Sequence, residues 1–198
     1  GIVGGIGAAI ATRMAADGAK VVVSDLPGDA LKAAAEKLEL PAAEADLGDL
    51  QSVKSMVQQI AADHGAPDIL VNAAGTTAEQ PVCGHSDELW LKIIETNLSG
   101  AFRMVRELLP GMMARGWGRI INVSSVAGKL ASPLTSPYCM TKHAVEAFTI
   151  SLRGELAPHG IDVCKVNPGP YNTGFNDRMV DGITEHIAAG DEATFAAN

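Results

Sequence analysis

Short apolar runs alternate with amphipathic stretches along most of the chain. The runs are four to six residues long and rich in Val and Ile, a pattern that predicts buried strands. The predicted strands cover residues 20–24, 42–45, 68–72, 119–124 and 161–166, and the predicted helices cover residues 5–17, 29–38, 49–63, 86–113 and 138–157. Strands and helices in alternation, with continuously apolar strands, are typical of a parallel sheet covered on both faces.

Local signals support these boundaries. Gly18 follows the first helix where a left-handed C-cap is needed, and Ser86 is a good N-cap for the fourth helix. No repeat or linker divides the chain, so residues 1–198 are predicted to form a single domain. Beyond Asn167 the pattern gives way to Pro, Gly, Asn and Asp. Residues 170–198 are therefore expected to be either a substrate lid or a disordered terminus.

Composition narrows the classes of function. The chain has 198 residues, of which 47% are hydrophobic, enough for a sizeable core. A net charge of -8 argues against nucleic-acid and anionic-membrane partners, and no apolar stretch approaches the ~20 residues of a membrane span. The three cysteines form no CxxC pair and the five histidines are scattered. We therefore expect no disulfide framework, no metal site and a cytoplasmic location.

Glycines open the first predicted helix. Gly1, Gly5 and Gly7 have the spacing G-x3-G-x-G. Glycines let a backbone approach a pyrophosphate, and a helix N-terminus offers unpaired N–H donors with a partial positive charge. The alternative is an ordinary glycine-rich helix start.

An aspartate ends the next predicted strand, eighteen residues after Gly7. The Asp25 carboxylate can accept both hydroxyls of an adenosine ribose, as dinucleotide-binding folds require. It would also repel the 2′-phosphate of NADP, by roughly 4 kcal/mol for unit charges about 4 Å apart before solvation offsets it. This favours NAD. The alternative is a turn or cap aspartate ahead of Pro27.

Tyr138 and Lys142 lie one turn apart on a predicted helix, so their side chains share a face. A tyrosine with a neighbouring ammonium, which favours the phenolate and lowers its pKa, can act as an acid or base on a carbonyl or alcohol. Ser125 ends the predicted strand thirteen residues upstream, where open α/β sheets bind ligands, and the adjacent Ser124 is expected to line the cofactor site. Alone, the Tyr–Lys pair would be an ordinary helix pair.

These motifs together resemble the short-chain dehydrogenase/reductase family over essentially the whole chain. The matching residues, in chain order, are the glycine motif, Asp25, Asp46, Asn72-Ala73-Ala74-Gly75, Asn97, Ser125, Tyr138, Lys142, Pro168-Gly169 and Thr173. The resemblance implies a Rossmann-type doubly wound parallel sheet in a three-layer α/β/α arrangement.

The resemblance also implies a catalytic set. Tyr138 would be the general acid/base, with Lys142 lowering its pKa and binding the nicotinamide ribose. Ser125 would orient the substrate oxygen. Asn97 would hold a water that links Lys142 to a proton relay, although it could instead cap or bend its helix.

The implied cofactor is NAD. Asp46 would contact the adenine, and Thr173 would hold the nicotinamide carboxamide. The full implied set is Gly1, Gly5, Ile6, Gly7, Asp25, Leu26, Asp46, Leu47, Asn72, Ala73, Ala74, Gly75, Tyr138, Lys142, Pro168, Gly169 and Thr173.

The chain departs from the family pattern at some positions. Ala73 stands where an Asn is usual, which removes a polar side chain. The family's first strand, which would precede Gly1 in the middle of the sheet, and its last helix and strand lie outside the sequence. We therefore expect the native protein to have further residues at both ends.

The predicted function is NAD(H)-dependent interconversion of a ketone and a secondary alcohol by direct hydride transfer. The expected pocket walls, residues 127–137 and the stretch from Tyr171 onward, carry few charges, which favours a neutral, largely apolar small-molecule substrate. The alternatives are an NAD-binding epimerase or dehydratase relative and a non-catalytic nucleotide-binding scaffold. By resemblance, the protein is expected to be a homodimer or homotetramer.

Overall fold

The computed structural model describes residues 1–171, which form an α/β fold. Strands and helices alternate through the first half of the chain. The strands are β1 (Val23–Asp25), β2 (Ala42–Glu44), β3 (Ile69–Asn72), β4 (Gly118–Val123) and β5 (Ile161–Val166). The helices are α1 (Gly5–Ala16), α2 (Asp29–Leu38), α3 (Leu50–His64), α4 (Asp87–Ile94), α5 (Gly100–Arg115) and α6 (Ser136–Leu156).

All strand pairs are parallel. β1 pairs with β2, and β3, β4 and β5 form a second sheet in that order. Within residues 1–171 no strand joins β1 to β3, so the two sheets are not hydrogen-bonded to each other. Because parallel strands all end at the same edge, the residues that follow each strand lie on one side of the molecule.

Helices cover both faces of the strands. Val21 and Val23 pack in a cluster with α1 and α2, whereas Val22 packs in a cluster that includes residues of α3. Successive residues of a strand point to opposite faces, so these helices lie on opposite sides. A third cluster joins β3, β4 and β5 to α5 and α6 around Ile120, which is fully buried. The predicted doubly wound, three-layer α/β/α fold is confirmed.

The predicted helix over residues 86–113 contains an interruption that the apolar pattern did not indicate. It consists of α4, a π-helical turn at Glu95–Ser99, and α5. Ser86 caps α4 as predicted, since its hydroxyl accepts a hydrogen bond from the Leu89 N–H at 3.3 Å. No helix among residues 1–171 has the length and apolar character to cross a bilayer.

Candidate active site

A cleft of about 1020 Å³ opens at the carboxyl ends of the strands. It runs from the glycine loop, between the two sheets, to the start of α6. Every predicted cofactor residue within residues 1–171 lines it, together with Ser124 and Ser125. Thr173 lies outside the described residues, and Asn97 lies behind the cleft wall. The structure thus brings separate sequence motifs to one concave site.

The glycine loop forms one end of the cleft. α1 begins at Gly5, and Gly4 is its N-cap with extended dihedral angles. A Cβ atom on Gly7 would lie 2.1 Å from the Gly1 carbonyl oxygen, far inside contact distance. Position 7 therefore requires glycine. The helix N-terminus that results faces the cleft and suits a negatively charged group.

Asp25 lies beside this loop at the end of β1. One carboxylate oxygen accepts a hydrogen bond from the Val3 N–H at 3.0 Å, and the other accepts one from the Leu26 N–H at 2.9 Å. These two backbone donors hold the carboxylate in place. Each oxygen keeps a further lone pair with which it can accept a hydroxyl. The geometry fits a ribose at this position. The Asp25 carboxylate thus lies next to a loop that can bind phosphate.

Asp46 and Leu47 continue the cleft after β2. The Asp46 carboxylate accepts a hydrogen bond from the Gly48 N–H at 2.8 Å, which closes a tight turn. The Leu47 carbonyl accepts one from the Arg103 guanidinium at 2.7 Å, and Arg103 also pairs with Glu95 at 2.6 Å. The Arg103 side chain on α5 thus fixes the segment in which the adenine contact is predicted.

The segment Asn72-Ala73-Ala74-Gly75 forms the middle of the cleft floor. The Asn72 side chain donates to the Asn122 side chain at 2.9 Å, and Asn122 donates to the Thr149 hydroxyl at 3.0 Å. These two hydrogen bonds join β3, β4 and α6 through buried polar groups. They brace the end of β3, because the Asn72 side chain has its partner in the neighbouring strand.

Ser125 and Tyr138 meet at the far end of the cleft. Ser125 follows β4 and caps a short 3-10 turn, where its hydroxyl accepts a hydrogen bond from the Ala127 N–H at 3.1 Å. Tyr138 lies in the first turn of α6, is 7% exposed, and its side chain is hydrogen-bonded to that of Ser125. Two hydroxyl groups are therefore directed to one point in the cleft.

Lys142 lies one turn further along α6 and is 5% exposed. Its Nζ donates a hydrogen bond to the Val123 carbonyl at 2.9 Å and lies 5.6 Å from the centroid of the Tyr138 ring. Burial lowers the pKa of Lys142 to about 8. The ammonium is thus held over the face of the ring by the end of β4.

The pKa of Tyr138 is raised overall, so the lowering expected from Lys142 does not set the net direction of the shift in this structure. Burial raises the pKa of Tyr138, while the hydrogen bond with Ser125 acts in the opposite direction. Removing a phenol from water disfavours its charged form. The Tyr138 phenol is consequently protonated at neutral pH, which suits a group that gives a proton to a carbonyl oxygen.

Asn97 lies in the π-helical turn between α4 and α5 and is 3% exposed. Its side-chain oxygen accepts a hydrogen bond from the Thr76 N–H at 2.8 Å, and its nitrogen donates to the Thr76 carbonyl at 2.9 Å. The nitrogen also lies 3.2 Å from the Thr141 hydroxyl on α6. Asn97 therefore connects the loop after Gly75 to α6. Its position depends on the π-helical turn, a local break in the α-helical pattern.

Comparisons with known proteins decide the family. A family model described as short chain dehydrogenase matches residues 1–183. Nodulation protein G of Azospirillum brasilense is 39% identical over 193 residues, covering 94% of this chain and 77% of that protein. The chain belongs to the short-chain dehydrogenase family.

Further relatives agree with this assignment. An acetoacetyl-CoA reductase of Allochromatium vinosum is 34% identical over 197 residues, covering 96% of this chain and 80% of that protein. The crystal structure of an actinorhodin polyketide ketoreductase variant with NADPH has a TM-score of 0.86 and 35% identity, covering 94% of this chain and 72% of that one. This short-chain dehydrogenase is an oxidoreductase of the ketone/alcohol type whose fold binds a nicotinamide dinucleotide.

Sequence reasoning missed the residues that hold the site of this dehydrogenase in place. Arg103, Asn122 and Thr141 lie outside the predicted set, yet each bonds to a residue within it, and Thr149 in turn bonds to Asn122. One signal was visible: Asn122 is a polar residue inside the apolar run RIINV. The others lie on helices, where a polar side chain is ordinary and gives no sign of its partner.

The lowered pKa of Lys142 predicts a pH dependence of stability. Between pH 8 and 10.5 the unfolded chain keeps a Lys142 proton that the folded chain has lost, so the unfolded state binds more protons. The free energy of unfolding of the parent dehydrogenase should therefore rise with pH relative to that of Lys142→Met, by up to about 3 kcal/mol across this window. Urea unfolding at several pH values measures this difference. The same substitution at the exposed Lys20 is the control, and equal slopes in both variants would contradict the assignment.

Proposed function

We propose that this dehydrogenase uses NAD(H) to interconvert a ketone and a secondary alcohol, with Ser125, Tyr138, Lys142 and Asn97 as its catalytic set. The single observation that carries this proposal is the meeting of the Ser125 and Tyr138 side chains, with Lys142 beside them, in the cleft that Asp25 and the glycine loop also line. A group bound across this cleft would extend from the phosphate-binding helix terminus to the phenol.

In the reducing direction, the hydride that adds to the carbonyl carbon would be supplied by a nicotinamide held in this cleft. The Ser125 hydroxyl donates a hydrogen bond to the carbonyl oxygen and so orients it. The Tyr138 hydroxyl gives its proton to the same oxygen, which becomes the alcohol. The Lys142 ammonium stabilises the phenolate left behind, since an opposite charge nearby favours the ionised form.

Asn97 is proposed to support the return of the proton to Tyr138. Its side chain lies at a cavity of about 10 Å³, together with Asn72 and Asn122. This volume is near the lower limit for one water molecule, and the three amides supply the polar partners that a buried water needs. We propose that a water held near Asn97 connects Lys142 to solvent.

The preference for NAD over NADP rests on charge. A 2′-phosphate on the ribose would lie against the fixed carboxylate of Asp25, which is unfavourable. Among residues 1–171 the basic side chains that line the cleft are Lys92 and Lys142, and Lys142 is committed to Tyr138. The ketoreductase relative was crystallised with NADPH, so the choice depends on these local residues.

The proposed substrate is a neutral, largely apolar ketone or alcohol. Leu130 and Tyr171, which are 70% and 63% exposed, line the cleft beside Ala131 and Ser132. Lys129 is paired with Glu146 at 2.7 Å and does not line the cleft. Leu134, expected in the pocket wall, is instead buried with 7% exposure, so that part of the expectation is wrong. The positive charge of Lys129, on the loop after Ser125, is thus paired with Glu146 outside the proposed substrate site.

Self-association is proposed to use the outer faces of α5 and α6. Phe102 on α5 is 46% exposed, and Met140 and Ile150 on α6 are 56% and 58% exposed. Phe102 packs against Phe148 of α6 with ring centroids 6.1 Å apart, so the two helices present a shared apolar surface. Such a surface suits a symmetric contact between two copies, the building unit of a homodimer or homotetramer.

Tyr138→Phe tests the chemistry. Removing the hydroxyl removes the proton donor, so kcat for a responsive ketone should fall by about 10² to 10⁴-fold. Absorbance of NADH measured during turnover across a ketone panel gives kcat, and the change in NADH fluorescence on binding gives the Kd. Retained NADH binding is the control for folding. Unchanged turnover in the variant would show the proposed mechanism to be wrong.

Asp25→Asn tests the cofactor preference. It removes the charge and keeps the size, so the ratio of kcat/KM with NADH to kcat/KM with NADPH should fall by about tenfold or more. Asp46→Asn is the matched control, because Asp46 is predicted to contact the adenine that both cofactors share. An equal change of this ratio in both variants would contradict the proposal that Asp25 selects NADH over NADPH.

Ile150→Glu tests the self-association surface. A carboxylate within an apolar contact is costly to bury, so the variant should be smaller than the parent protein by light scattering after size exclusion. Val82→Glu is the control, since Val82 is 74% exposed and lies outside α5 and α6. If both variants kept the parent mass, the surface would be assigned to the wrong place.

A further inference from the structure

A buried carboxylate lies directly below the catalytic pair. Glu146 follows Lys142 by one helical turn, so Tyr138, Lys142 and Glu146 share one face of α6. Glu146 is 5% exposed. A buried charge is costly unless it is paired and hydrogen-bonded, so the partners of this carboxylate indicate what it does.

Glu146 has partners in three different segments. One carboxylate oxygen accepts hydrogen bonds from the Lys129 ammonium at 2.7 Å and from the Lys165 ammonium. The other accepts one from the Asn167 side-chain nitrogen at 2.6 Å. Lys129 follows the 3-10 turn that Ser125 caps, Lys165 is on β5, and Asn167 follows β5. One carboxylate therefore joins α6, the Ser125 loop and the end of β5.

The side chain of Asn167 carries the connection to the active site. The nitrogen that donates to Glu146 also donates to the Ser125 carbonyl at 2.9 Å. A carboxylate only accepts hydrogen bonds, so it selects the NH₂ end of the Asn167 amide and excludes the oxygen end. The ionised Glu146 and the Ser125 carbonyl therefore both require the NH₂ end of Asn167, and the two bonds hold it between them.

The carboxylate is ionised over the useful pH range. Burial by itself raises the pKa of Glu146, but the hydrogen bonds donated by Lys129, Lys165, Asn167 and Ser124 outweigh it and lower the pKa to about 2. The cluster of Lys129, Lys165 and Glu146 contains two ammonium groups and one carboxylate, so its net charge is positive. Asn167 is the neutral member that turns inward to Ser125.

We propose that Glu146 is a positioning residue for Ser125, acting through Asn167. By holding the Asn167 amide, it holds the backbone of Ser125 where the Ser125 hydroxyl meets that of Tyr138. This inference rests on the proposed role of Ser125 in orienting the substrate oxygen. It predicts that the charge of Glu146 matters to the reaction and not only to the stability of the fold.

Glu146→Gln tests the proposal in the full-length protein. The glutamine amide cannot accept at both ends, so the donors around it can no longer all be satisfied and Asn167 is released. We expect kcat/KM for the ketone to fall about ten- to a hundredfold, while the Kd of NADH changes by less than about twofold. An unchanged kcat/KM, or a parallel loss of NADH binding, would overturn the proposal.

Asp162→Asn is the matched control. Asp162 pairs with Arg119, and this pair joins β4 to β5 as the Glu146 cluster does, but at the opposite ends of the strands. Its side chain is 72% exposed. The control should keep the kcat/KM of the parent. An equal loss in both variants would assign the effect of Glu146 to general stability and would overturn the proposal.

Asn167→Ala tests whether Glu146 acts on Ser125 through Asn167. It also replaces Glu146→Gln as the test if that variant does not fold. It should show the same loss in kcat/KM with intact NADH binding. In the Glu146→Gln, Asn167→Ala double variant the losses should not multiply, because residues that act as a unit are not additive. Multiplied losses, or full activity of Asn167→Ala, would contradict action through Asn167.

Hydrogen exchange separates this inference from the proposed function. In Glu146→Gln the amides of Val126–Gly128 should exchange faster than in the parent protein, and in Asp162→Asn they should not. If the parent protein reduced no ketone, the proposed function would fail, and the exchange rates alone would decide whether Glu146 positions the loop. Unchanged exchange at these amides would overturn the inference in either case.

Discussion

The parallel pairing of β4 with β5 continues beyond the ends of both strands, and the active site depends on that continuation. The Ser124 N–H donates to the Val166 carbonyl at 2.8 Å, and the Val126 N–H donates to the Pro168 carbonyl at 3.0 Å. Ser125 lies between these two bonds. The same ladder that builds the sheet thus brings the Ser125 hydroxyl and the Pro168-Gly169 turn to one edge, where α6 supplies the phenol and the amine.

Burial then sets the charge states at this edge. Taking a group out of water disfavours its ionised form, which raises the pKa of Tyr138 and lowers that of Lys142 to about 8. Glu146, on the same helix face, has its pKa held down to about 2, because burial is outweighed by four donating side chains. Burial therefore favours the neutral forms of Tyr138 and Lys142, whereas the donors around Glu146 keep it ionised.

Much of the fold and most of the outline of the site were predictable. The predicted runs placed every strand within a few residues, and four of the five strands of residues 1–171 are rich in Val or Ile, as burial between two layers of helices demands. Chain order and parallel strands then placed Asp25, Asn72 and Ser125 at a common edge. The π-helical turn at Asn97 was not predictable, since the apolar periodicity of residues 86–113 passes through it without a break.

The sequence by itself determined the layered α/β architecture, the glycine that position 7 requires and the candidate residues of the cleft, because these follow from local periodicity and from motifs of fixed spacing. Tertiary structure alone decided which polar groups meet. Asn72 with Asn122, and Glu146 with Lys129 and Lys165, are pairs separated along the chain by loops and whole elements. It also decided the direction of the Tyr138 pKa shift, because desolvation depends on everything packed around a group and not on its neighbour one turn away.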